Sequence, residues 1–174
     1  MTTQARPPIE ATTRSPHWSA GPIGLVVSLL AVAGVAAIGR SWTTTSEGSW
    51  YDLLDKPAWI PPGPTFGIVW TLLYVMMAVA AWRVARVGVE RPTVRLALTV
   101  YGVQLALNLG WTAAFFALQR PGWALVEIVV LLAAVVLTTV LFARLDAPAG
   151  WLMVPSVGWV AFATALTTAI VLSN

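Results

Sequence analysis

Five long stretches of this chain carry almost no charge: 21–39, 58–82, 96–118, 121–143 and 148–174. A membrane-spanning helix needs roughly 20 predominantly apolar residues, and each stretch is long enough to supply one. Buried helices of a soluble protein are the alternative. Charged residues, however, make up only 10% of the chain and hydrophobic residues 58%, against about 25% charge in an ordinary soluble domain. Five such helices would leave too little polar sequence to cover a water-facing surface. The expected fold is therefore an all-α integral membrane protein, a five-transmembrane-helix bundle over residues 21–174. Residues 1–20 are polar, contain proline and lack helical periodicity, so they read as a disordered N-terminal tail.

Proline and glycine mark the seams: Gly88 and Pro92, then Pro121 and Gly122, then Pro148 and Gly150. Such short turns predict that consecutive helices are antiparallel neighbours. Only the first connection, about 40–64, is long enough to form a partly structured loop. Ala31, Val32 and Ala33 resemble a signal-peptide cleavage site, but the apolar stretch is long and follows a polar leader, so a retained helix is expected. The tail and the second and fourth turns hold Arg6, Arg14, Arg83, Arg86, Arg91, Arg95 and Arg144, while Arg40, Lys56 and Arg120 lie on the opposite side. The positive-inside rule then predicts a cytoplasmic N-terminus and an outer-side 40–64 loop. The pI near 10.0 follows from these helix-end arginines and calls for no nucleic-acid partner.

Conventional catalysis has few residues to use. The single histidine, His17, is in the tail, and cysteine is absent. No metal site, nucleophile elbow, P-loop or dinucleotide fingerprint is present, and no cofactor is required. Tryptophan is the outlier, with ten copies. Trp18, Trp42, Trp82, Trp123 and Trp151 suit an interfacial aromatic belt. Trp70, Trp111 and Trp159 lie inside their helices and suit either core packing or a pocket for a large planar ligand.

Gln104, Asn108 and Trp111 follow i, i+4, i+7 spacing and share one helix face. Intramembrane amides need partners, so this face should point into the bundle, either for interhelical hydrogen bonding or toward a ligand. Gly102, Ala106, Gly110 and Ala114 form a stripe of small residues whose centre lies roughly 145° away. An outward stripe of this kind predicts a homodimer interface. Trp70, Tyr74 and Met77 share a face of the second helix. Glu127, the only acid within an apolar stretch, suits interfacial anchoring, proton relay or ligand contact. In the first loop Pro57, Pro61, Pro62 and Pro64 restrict the backbone, while Trp50, Tyr51, Leu53 and Leu54 supply apolar surface. A lid over the bundle and a loop lying on the bilayer both fit that composition.

Residues 50–74 read WYDLLDKPAWIPPGPTFGIVWTLLY, and the blocks QLALNLGWTAAFF (104–116) and GWALVEIVVLLAAVVLTT (122–139) follow. In this order they resemble the tryptophan-rich sensory protein family, whose mitochondrial branch is the translocator (peripheral benzodiazepine receptor) family. The resemblance implies a five-helix membrane protein that takes porphyrins such as protoporphyrin IX or heme as ligands, in contact with membrane lipid. By motif it implies a ligand pocket of Tyr51, Pro61, Pro62, Trp70, Gln104, Asn108, Trp159 and Ala163, to which the helix faces above add Tyr74 and Trp111. It also names Trp70 and Trp159 as the catalytic candidates, should porphyrin be broken down in light. The fifth helix departs from the pattern at Ser156, Thr167 and Thr168. No tyrosine or basic residue follows Arg144, so the Tyr-plus-basic sterol motif is absent. Three functions stay open: a tetrapyrrole receptor or sensor, a light-dependent porphyrin-degrading enzyme, and a transporter of an amphipathic solute. No internal repeat of the kind common in transporters is visible.

Overall fold

The computed structural model describes residues 21–174; His17, Trp18 and the expected tail lie outside them. Five helices make up most of this segment: α1 (Pro22–Trp42), α2 (Gly63–Arg86), α3 (Pro92–Thr112), α4 (Pro121–Leu145) and α5 (Ala147–Ser173). All five are long and apolar enough to cross a membrane. With no water to satisfy the backbone in hydrocarbon, internally bonded helices are the form such apolar stretches adopt. Each helix has a proline at its first or second position. There the missing N–H costs nothing and the fixed φ favours the helix. Pro155 sits within α5 without ending it, as spanning helices tolerate.

The helices close a ring in the order α1, α2, α5, α4, α3. The expectation that consecutive helices are neighbours therefore needs one correction. α2 packs chiefly on α1 and α5, and meets α3 only across the ring. The connection from Val87 to Arg91 can span on the order of 15 Å when extended, so it constrains direction and not adjacency.

One end of the ring is tightly closed. Ala78, Ala80, Ala81, Val84, Val94, Ala97, Phe142 and Ala149 are buried there, and small side chains let the backbones approach. At the α4–α5 turn Gly150 is obligatory, because a Cβ would lie 2.6 Å from the Ala143 Cα. Asp146 accepts a bond from the Ala149 N–H as the α5 N-cap. The same carboxylate takes a two-pronged contact from Arg83 of α2, at 2.6 and 3.1 Å. One acid therefore ties three helices together.

The small-residue stripe of α3 divides between two environments. Gly102 and Ala106 are exposed on the outer face. Gly110 instead faces α4, where a Cβ would meet the Glu127 carboxylate at 2.5 Å. Glu127 thus rests against the α3 backbone. Trp123 and Trp151 are 71% and 74% exposed near helix starts, as interfacial tryptophans should be.

The hydrogen bonds from Arg83 hold the Asp146 carboxyl below the usual carboxylate range, with burial opposing them. A depressed folded-state value means this stabilisation is complete above the ordinary carboxyl pKa of about 4 and is lost as pH falls through the lower one. Asp146→Asn should keep the cap, lower the melting temperature near neutral pH, and shrink its fall on acidification below pH ~4. Asp146→Ala should cost about 1 kcal/mol more, through the lost cap. Thermal unfolding followed by circular dichroism in detergent checks both.

Candidate functional site

The other end of the ring is open and aromatic. A hollow of about 680 Å³ lies between α1, α2, α3 and α5, beneath the 43–62 loop. The loop folds back onto the helix ends. The ring of Trp50 meets Phe115 edge-on at 5.7 Å, and Tyr51 meets Phe116 at 5.6 Å. Lys56 fastens it from within: its ammonium donates to the carbonyls of Tyr51, Asp52 and Leu54 at 2.8, 2.8 and 3.1 Å. The Asp55 N–H donates to the Asn174 side chain at 3.0 Å, whose amide donates back to the Asp55 carbonyl at 3.1 Å. Of the two loop readings, the structure adopts the lid. Burial raises the Tyr51 phenol above its ordinary value, so its hydroxyl stays neutral at physiological pH.

Seven of the expected site residues line this hollow. Tyr51 and Pro61 come from the loop, Trp70 and Tyr74 from α2, Asn108 and Trp111 from α3, and Ala163 from α5. The Tyr74 hydroxyl donates to Asn108 Oδ1 at 2.7 Å, which leaves the amide NH₂ as the group Asn108 can offer inward. Trp70 lies 5.5 Å from the Tyr74 ring. The buried Trp111 Nε1 has no protein partner.

Three others do not reach the hollow. Pro62 is exposed as the cap residue of α2. Gln104 lies one turn deeper, 1% exposed, with its amide nitrogen 3.5 Å from the Met77 sulfur and its carbonyl oxygen unpartnered. Trp159 packs behind the wall, against Phe66 at 5.6 Å and Phe162 at 5.3 Å.

Sequence reasoning missed several lining residues. Phe115 and Phe116 both face the hollow, where α3 ends in a π-helical turn over Ala113–Ala117. The Leu118 N–H bonds back to the Ala113 carbonyl at 2.8 Å. Such a turn widens the helix and is frequent at functional sites. Phe115 was findable, since 104, 108, 111 and 115 continue one face; Phe116 was not. Gly39 and Arg40 of α1 also line the hollow. Between α1 and α2 it continues into an outer groove bordered by Arg40, Thr45, Gly63, Gly67 and Thr71. No Asp or Glu among the described residues lines either space, and no group of acids and histidines there could hold a metal.

Residues 26–172 match the model of the TspO/MBR family. The chain belongs to that family. It is 39% identical over 152 residues to the tryptophan-rich protein TspO of Chlorobaculum tepidum, covering 87% of this chain and 95% of that protein. It is 39% identical over 131 residues to the protein CrtK of Rhodobacter capsulatus, covering 75% and 82%. The human translocator protein is 38% identical over 120 residues, 67% of this chain and 70% of that one. With five spanning helices and this membership, the chain is a multi-pass integral membrane protein of the TspO/MBR family.

Tyr74→Phe should leave the Asn108 carbonyl oxygen without its partner, at a cost of about 1–3 kcal/mol. Adding Asn108→Leu should recover part of that loss, because no orphaned polar group then remains. Melting temperatures of the single and double variants in detergent measure the coupling.

Proposed function

We propose that this TspO/MBR-family protein is a membrane receptor or sensor that binds a tetrapyrrole, such as protoporphyrin IX, in the hollow beneath its loop. The observation that carries this reading is the wall itself. Flat rings from the loop, α2 and α3 surround about 680 Å³, within the roughly 300–1,000 Å³ typical of small-molecule sites. A large planar ligand gains from such rings both by burial and by stacking. Among the polar groups on this wall, the Asn108 amide is fixed by its bond from Tyr74, beside threonine hydroxyls from the loop, α2, α3 and α5. Family membership supports a sensor or receptor role, and one relative, from Cereibacter sphaeroides, is named a tryptophan-rich sensory protein.

No histidine or cysteine lies among the described residues. That supports recognition through the macrocycle and its edges in preference to ligation of a heme iron. Light-dependent breakdown would need an indole close to the excited ring. Trp70 has that position and Trp159 does not.

Purified protein titrated with protoporphyrin IX in darkness should show saturable quenching of tryptophan fluorescence. Trp70→Ala should weaken binding by about 1 kcal/mol or more, roughly fivefold, through loss of one stacking surface. Trp151→Ala, on the lipid-facing side, should leave binding unchanged. Equal affinity in Trp70→Ala and wild type would refute the site.

A further inference from the structure

Two cations line the hollow, and they are not equivalent. An ammonium has three N–H donors, and all three of Lys56 are taken by loop carbonyls at 2.8, 2.8 and 3.1 Å. Lys56 therefore holds the lid and has no proton left for a ligand. Arg40, in the last turn of α1, makes no ion pair among the described residues, where Arg83–Asp146 is the single one. It stands where the hollow opens into the outer groove, lining both. Neither space is bordered by an acid among the described residues. Deeper inside, the Asn108 NH₂, left over once its oxygen is taken, adds a donor.

From this one-sided arrangement we infer that Arg40 is the anchor for a carboxylate on the bound molecule. The inference rests on the tetrapyrrole reading above and adds the residue that selects the ligand's acidic edge. A site with an unpaired cation at its mouth and no acid on its walls among the described residues favours an anionic group and penalises a cationic one. The guanidinium is planar, presents a fork of N–H groups and matches a carboxylate with two parallel bonds. Arg40 is also water-accessible, so pairing there avoids the desolvation cost that a buried ion pair carries. The apolar macrocycle would lie inward against Trp70 and Trp111, with its acidic edge at the mouth. Lys56, although it belongs to the lid and lines the hollow, would not take part.

The test uses the full chain in nanodiscs of phosphatidylcholine, with two probes: protoporphyrin IX, a diacid, and its neutral dimethyl ester. Binding is read by tryptophan quenching, and circular dichroism verifies the fold of each variant. Arg40→Gln should weaken diacid binding about threefold to tenfold, the effect of one partly exposed charge-assisted contact, and leave ester binding unchanged. Arg40→Lys should retain part of the diacid affinity. Salt should weaken diacid binding to wild type, and less so to Arg40→Gln. Equal loss for both probes would assign Arg40 a packing role and overturn the inference. No loss for either would place its charge among lipid headgroups, with the same consequence. Wild-type protein that binds neither probe would overturn the tetrapyrrole reading itself, and the anchor with it.

Discussion

The hydroxyl of Tyr74 reaches across the ring of helices to Asn108 at 2.7 Å, and the open end of the molecule is organised around that bond. α2 and α3 are consecutive in sequence, yet other helices lie between them on both sides of the ring. In hydrocarbon, two polar side chains on facing helices have no water to turn to, so they find each other. The bond fixes the spacing of α2 and α3 and orients the Asn108 amide. It also sets Trp70 and Trp111, one turn from its two ends, on opposite walls of one space. The gap it spans is too wide for the small-residue packing seen at the other end, and aromatic rings fill its rim.

The two ends of the bundle therefore do different work. At the closed end, Gly150 admits the Ala143 backbone and Asp146 joins α2, α4 and α5 through an ion pair and a cap. At the open end the rings of Trp50, Tyr51, Phe115 and Phe116 pack edge to face or tilted, with centroids 4.9–5.7 Å apart in the closest pairs. The lid is held by Lys56 and by the Asp55–Asn174 exchange, contacts made mostly to backbone groups. Rigid closure at one end lets the other keep a hollow without the ring collapsing into it.

The five helices were legible because hydropathy and length alone decide them, and the long first connection, expected near 40–64, ends within three residues of its observed limits. The inward face of α3 was legible from the 104, 108, 111 spacing. What spacing cannot give is depth or ring order. Gln104 shares the face of Asn108 but lies a turn below the hollow, against Met77. Trp159 is inside its helix, yet its ring packs on Phe66 and Phe162 and does not line the space. Phe116 lines the hollow where α3 ends in a π turn, which a period of 3.6 does not describe. Gly110 was read with the outward stripe, but α4 crosses α3 there and sets Glu127 over it. Each of these depends on where a second helix passes, and one helix's sequence pattern does not record its neighbour.

The most direct test is an experimental structure of the protein saturated with protoporphyrin IX. The account predicts the macrocycle between Trp70 and Trp111, under the loop, with Tyr74 still bonded to Asn108 and an acidic edge turned toward Arg40. A macrocycle on the lipid-facing surface, with the hollow between α2 and α3 left unfilled, would contradict it.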